Sequence, residues 1–169
     1  MVYDRKYIDT VADIVCDALE IRRPLTVKQL CETIKAKLHG SCVSKDTVED
    51  DAKIIISDDN SFVIEYATNT PEVRLLFSIA YELGHLFLHY LKEDGSGILK
   101  TEETVNIQET EEWEANEFAA YLLMPDELFI SKCKDFSENG KIPINKIADY
   151  FHVSNQAAFV RGLVLGLWT

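Results

Sequence analysis

The chain has 169 residues, 47% of them hydrophobic and 27% charged, which suits one domain with a substantial core and leaves too little length for two. That composition excludes the disordered, collagen-like and low-complexity classes. Asp and Glu number 29 against 17 Lys and Arg, a formal charge of -12. This is the wrong sign for a surface that must neutralise phosphates, so direct nucleic-acid binding is not expected.

The four cysteines, Cys16, Cys31, Cys42 and Cys133, are scattered, with no C-x-x-C pair. Neither a zinc knuckle nor a disulfide framework is spelled out, and buried free thiols are expected. Charges run through residues 1–20, which therefore lack the apolar stretch of a signal peptide. No run approaches the roughly 20 apolar residues that cross a bilayer, so no membrane partner and a reducing cytoplasm are expected.

Ile8, Val11, Ile14, Val15, Ala18 and Leu19 recur at three- and four-residue steps and predict an amphipathic helix, closed by Arg22, Arg23 and Pro24. Thr26 followed by Gln29 reads as a capping box that opens a second helix through Leu38, with Gly40 placed to end it. Residues 53–57 and 61–66 are β-prone runs around Asp58, Asp59 and Asn60, which predicts a hairpin. Pro71 permits a helix start, and residues 73–90 form a helical run too apolar to have a wide solvated face.

Residues 92–104 hold Gly95, Ser96 and Gly97 among charges and read as a flexible loop. A further helix is predicted over 109–123, stopped at Met124-Pro125 by the missing amide and the ring clash. Two short helices should follow Asp126 and Ile144. The fold class is α+β: a single, mainly helical domain over residues 1–169, with a small sheet that contains the hairpin.

Within the apolar helix, Tyr81-Glu82-Leu83-Gly84-His85 has the spacing of H-E-x-x-H with tyrosine in the first position. In a zinc hydrolase two histidines at i and i+4 stand one turn, roughly 6 Å, apart and reach one metal, while the glutamate between them is the general base. A phenol ligates only once its proton is lost, and its ordinary pKa is about 10. Taken alone, one His and one Glu on a helix are commonplace. A second constellation on another helix, 27 residues downstream, adds weight. There Glu112 and Asn116 stand four residues apart, as a carboxylate ligand and a residue that orients it do.

The run Phe77-Ser78-Ile79-Ala80-Tyr81-Glu82-Leu83-Gly84-His85-Leu86-Phe87-Leu88-His89 resembles the F-T-x-A-H-E-L-G-H-x-x-L-H signature of the ImmA/IrrE family of zinc metallopeptidases. Residues 112–125 resemble that family's E-x-x-A-N-x-F-A-A-x-L-L-M-P segment. Residues 147–154, followed by Arg161, resemble its I-A-x-x-F-x-V-S helices. The resemblance runs in order from Ile54 to Leu167. It implies a zincin-like core with His85 and Glu112 as zinc ligands, Glu82 as general base and Asn116 as supporting residue. Tyr81 falls on the first histidine ligand, which it does not match.

Two functions follow from the resemblance. One is a zinc-dependent endopeptidase that regulates transcription by cutting a helix-turn-helix repressor in bacteria or their mobile elements, with metal-bound water attacking a peptide carbonyl while Glu82 carries the proton. The other is a non-catalytic relative that keeps the fold as a protein-binding or sensing module. His89, four residues after His85, offers a shifted histidine pair with Glu82 nearby. His39 and His152 read as surface or boundary histidines. Glu102, Glu103, Glu109, Glu111, Glu114 and Glu117 read as a mostly solvated acidic face that could steer a basic partner. Residues 144–166 superficially suggest a helix-turn-helix, but a reading helix presents Arg, Lys, Asn or Gln outward. The second helix here has one basic residue, Arg161, so packing is the better explanation.

Overall fold

The computed structural model describes residues 2–48, 50–92, 96–100 and 108–168. Helix α1 (Arg5–Leu19) is capped by the Asp4 side chain, which accepts from the Tyr7 amide, and buries Ile8, Ala12, Val15, Cys16 and Leu19. Helix α2 (Val27–Lys37) opens with the expected capping box, Thr26 and Gln29 each bonding the other's main chain. Its exit differs from the expectation. The left-handed residue is His39, at φ 53°, and Gly40 begins strand β1 (Gly40–Lys45). Gly40 is needed there because a Cβ would lie 2.3 Å from the Phe62 ring.

Strand β1 is short and polar, with Ser41, Ser44 and Lys45 in it, and therefore carries little strand signal in sequence. The expected hairpin is present as β2 (Ala52–Ile56) and β3 (Phe62–Ala67). Strand β3 is central, antiparallel to β2 and parallel to β1, and its Phe62 and Ile64 are buried in the core.

Helix α3 (Glu72–His85) starts after Pro71 and buries Leu75, Leu76, Ile79, Ala80 and Leu83, together with Glu82 and His85. It continues as a π-helical turn over Leu86–Tyr90, so the predicted run to residue 90 is helical throughout with a change of pitch after His85. Such wide turns place extra side chains on one face and are frequent at functional sites. Of the expected loop at 92–104, residues 93–95 and 101–104 lie outside the described residues.

Helix α4 (Glu109–Leu123) has the predicted bounds, and α5 (Asp126–Phe136) follows directly after Pro125. Helices α6 (Ile144–Phe151) and α7 (Asn155–Val164) complete the described fold. A mainly helical body thus packs against a three-stranded sheet around one hydrophobic cluster that α1, α2, α3, α4, α5 and α6 all enter. Among the described residues no helix is long and apolar enough to cross a membrane.

Two expectations about buried groups need correction. Of the acidic run, Glu114 is fully buried and Glu117 nearly so, because both share the inward side of α4 with Ala115 and Phe118, where Glu114 meets His89 and Glu117 meets Arg161. Of the cysteines, only Cys16 and Cys133 are buried, while Cys31 and Cys42 are half-exposed. In α7 the one basic residue, Arg161, is 2% exposed. It bonds the Met124 carbonyl at 3.0 Å, Glu117 at 2.8 Å and Asp126 at 2.7 Å. Phe159, Val160, Leu163 and Val164 nevertheless remain partly exposed, so packing accounts for only one face of that helix.

Candidate functional site

The site is set by the contact between α3 and α4. Gly84 makes the closest approach, since a Cβ there would stand 2.9 Å from both the Cα and the carbonyl oxygen of Ala115. Without a side chain at 84 the backbones meet. Tyr81 faces Glu112, Gly84 faces Ala115 and Phe87 faces Phe118, a constant offset of 31 residues that makes the two helices run in the same direction.

The Tyr81 hydroxyl donates a hydrogen bond to Glu112 Oε2. His85 lies edge-on to the Tyr81 ring, centroids 4.6 Å apart, with its Nε2 3.8 Å from Glu112 Oε1. Glu82 points the other way, toward the sheet, where the Ile54 amide donates to its Oε2 at 3.1 Å. Tyr81, Glu82 and Glu112 line a cleft of about 600 Å³, whose far wall carries Asp50, Asp51 and Arg74. Arg74 is held by Asp51 through bonds of 2.6 and 3.0 Å, so the free charge of the cleft is negative.

Behind His85 runs a buried chain of polar groups. His85 Nδ1 meets His89 Nδ1 at 2.9 Å, and His89 Nε2 meets Glu114 Oε2 at 2.9 Å. The Tyr3 amide donates to the other oxygen of Glu114 at 2.6 Å. One proton lies between the facing Nδ1 atoms of His85 and His89, and which ring donates it is set by the tautomers the two rings adopt. His85 Nε2 is turned toward Glu112, and in the tautomer that carries its proton on Nδ1 this nitrogen presents a lone pair there. Asn116 donates to the main-chain carbonyl of Glu112 at 2.9 Å, fixing the α4 turn rather than the Glu112 carboxylate.

The protonation chemistry follows from burial. Loss of water pushes the Glu82 carboxyl up to about 7, with the charges of Glu112 and Asp50 adding to the rise against the Ile54 amide. Burial, then the neighbouring His89, pushes His85 down to about 4, so it is a neutral imidazole at pH 7. The Tyr81 phenol is raised well above its ordinary value by burial and by donating to Glu112. It keeps its proton at any physiological pH.

A catalytic zinc site takes three protein donors with free lone pairs. Here His85 Nε2 and one oxygen of Glu112 converge, whereas the third position holds a protonated phenol that occupies the other oxygen of Glu112. Among the described residues no group of three or more His, Cys, Asp or Glu is arranged to hold a metal ion. The residues present do not fit a three-donor zinc site.

The model of the family described as the IrrE N-terminal-like domain matches residues 39–161, and the chain belongs to that peptidase family, which is generally zinc-dependent. No curated protein matches the chain. Among solved structures it is similar to a Mycobacterium tuberculosis transcriptional regulator, at a TM-score of 0.63 and 21% identity over 90% of this chain. That likeness concerns the fold, and the chain spans 45% of that protein's length.

Sequence reasoning placed Tyr81, Glu82, His85 and Glu112 in one region; the fold joins Tyr81, His85 and Glu112 at the α3–α4 contact and sets the Glu82 carboxylate on the sheet side of the same cleft. It missed Glu114 as a partner of His89. The available signal was position: Glu114 adjoins Ala115 and lies four residues before Phe118, on the inward side of α4. It also missed Asp50 and Asp51, which sit in a connection with no periodicity to read, and Arg74, in the first turn of α3.

Proposed function

We propose that this chain is a regulatory protein that recognises a helix-turn-helix repressor in the cytoplasm and, with Tyr81 in place, works as a protein-binding or sensing module rather than as a zinc endopeptidase. The observation that carries this reading is the hydrogen bond from Tyr81 to Glu112, which ties up a carboxylate oxygen where a metal would need it. Family membership supports the link to regulation. The formal charge of -12 and the acidic cleft suit a basic DNA-binding partner and make direct contact with nucleic acid unfavourable.

A second reading keeps hydrolysis. It is favoured by the position of His85 Nε2, turned toward Glu112, and by Glu82, whose affinity for protons near neutrality suits a general base.

The deciding experiment measures zinc content in protein purified without chelator, together with binding and cleavage of any helix-turn-helix protein encoded by a neighbouring gene. Substoichiometric zinc, intact repressor after incubation with added zinc, and binding that weakens with salt are expected. Stoichiometric zinc with a cleaved repressor would establish the second reading, and absence of any binding would remove the partnership.

A further inference from the structure

Helix α2 and strand β1 are joined by Leu38 and His39 alone, with His39 turning the chain at φ 53°. From that corner the helix runs back about 1.5 Å per residue and the strand leaves at about 3.3 Å per residue. Seven residues of helix therefore cover the same distance as three of strand, roughly 10 Å, which brings Cys31 alongside Cys42. Helix α2 packs on β1, and each thiol is the leading influence on the other's proton affinity, which sets the two sulfurs side by side. Both side chains are half-exposed at the edge of the core, within reach of small solutes. Their carbon frames are anchored on opposite sides by the α2 core residues Leu30 and Ile34 and by the pairing of Cys42 with Ile64 in the sheet.

We propose that Cys31 and Cys42 form an oxidation site at which a hydroperoxide converts the two thiols to a disulfide linking α2 to β1. The contact sets the roles. The neighbouring Cys42 lowers the Cys31 thiol below its ordinary value, while Cys31 and burial raise that of Cys42. Cys31 is the attacking sulfur. Its thiolate displaces hydroxide from the peroxide O–O bond, and the hydroxide takes a proton and leaves as water, giving Cys31 sulfenic acid. The Cys42 sulfur then forms the S–S bond, expelling the sulfenic oxygen as a second water that carries the Cys42 proton. Two thiols lose two electrons and one hydroperoxide, as hydrogen peroxide, gains them.

The remaining cysteines serve as internal controls. Burial pushes Cys16 and Cys133 up to about 11, which keeps them as unreactive thiols at neutral pH. The site is separate from the Tyr81 cleft, whose wall residues Asp50 and Asp51 follow β1 in the chain.

The test uses the full chain with hydrogen peroxide in modest excess, followed by thiol counting, intact mass and peptide mapping. The expected result is loss of two of the four thiols, a mass lower by two hydrogen atoms, a Cys31–Cys42 peptide, reversal by dithiothreitol and a higher melting temperature in the oxidised form. Cys42→Ser should stop at a sulfenic acid on Cys31 that a dione probe traps. Cys31→Ser should slow peroxide consumption about tenfold or more. Diamide, which couples neighbouring thiols without a sulfenic step, checks proximity separately. Failure of diamide to join the pair would overturn the geometry. Joining by diamide with no disulfide from peroxide, or peroxide oxidation falling on Cys16 or Cys133, would overturn the assigned reactivity.

Discussion

Tyr81 and Glu112 face each other across the α3–α4 contact, and the phenol hydrogen lies between them. A family zinc site needs a lone pair at that point, and the side chain here offers a donor. His85 stands beside the pair as a neutral imidazole, so replacing one side chain should change what the pocket holds. Tyr81→His places an imidazole one helical turn from His85 and frees both oxygens of Glu112. Zinc binding is expected to tighten at least tenfold over the parent, with a melting temperature that climbs with free zinc, because metal held only by the native state stabilises it by mass action. Adding Glu112→Ala should erase the gain. Isothermal titration and thermal melts read both effects, and equal zinc affinity in parent and variant would show that the pocket is not one residue away from a metal site.

Gly84 is the hinge of the same contact. Replacing a helical glycine with alanine ordinarily adds about 1 kcal/mol of helix stability. Here the new methyl group would press on Ala115 Cα and O at 2.9 Å, and overpacking of this kind costs about 1–3 kcal/mol. Gly84→Ala should therefore lower stability in urea titration despite the better propensity. In a Tyr81→His background it should also weaken zinc binding, because Glu112 moves with α4. An unchanged or raised urea midpoint would mean that α4 retreats freely.

The elements that were legible from sequence are those in which one local signal dominates. The capping box at Thr26, the period of α1 and the proline stop at Pro125 each fix a helix end through a single physical effect. Strand β1 escaped because its stability comes from pairing with β3, a contact that the polar run Gly40–Lys45 does not advertise. The site was legible as residue types at helical spacing, since i and i+4 share a face wherever the helix lies. The consequence of Tyr81 was not, because it depends on how closely Gly84 lets α4 approach and on which oxygen of Glu112 the phenol meets. Burial of Glu114 was equally hidden, as its charge argued for water while its neighbours argued for the core.

Arg161 joins α7 to the end of α4 and the start of α5 through three acceptors, at 2% exposure. Lysine presents a single ammonium point and cannot satisfy the fork geometry. Removing one partner of a buried ion pair leaves the others uncompensated at a cost of about 3 kcal/mol or more. Both Arg161→Lys and Arg161→Met should lower the melting temperature by roughly 6–12 °C. A drop below about 2 °C in calorimetry would show that Arg5, 3.1 Å from both Glu117 and Asp126, carries those acids alone.

Glu82 should leave a signature in the pH dependence of stability. Burial lifts its carboxyl from 4.5 to about 7 in the folded protein, so between those values the native state holds a proton that the unfolded chain has released. Folding then takes up a proton, and stability from this group is present at low pH and lost as pH rises through 7. Above that point the parent keeps a charged carboxylate out of water, a difference of up to about 3 kcal/mol at roughly 1.4 kcal/mol per pH unit. Glu82→Gln removes the titration while keeping an oxygen for the Ile54 amide. The melting temperature of Glu82→Gln minus that of the parent should accordingly be near zero at pH 5 and positive at pH 8. His85, pushed down to about 4, and Asp9, pushed up to about 6, titrate in both proteins. Their opposite contributions largely cancel in the difference. A difference that stays constant from pH 5 to pH 8 would mean that Glu82 keeps an ordinary carboxylate affinity, and the case for it as a base poised near neutrality would fall with it.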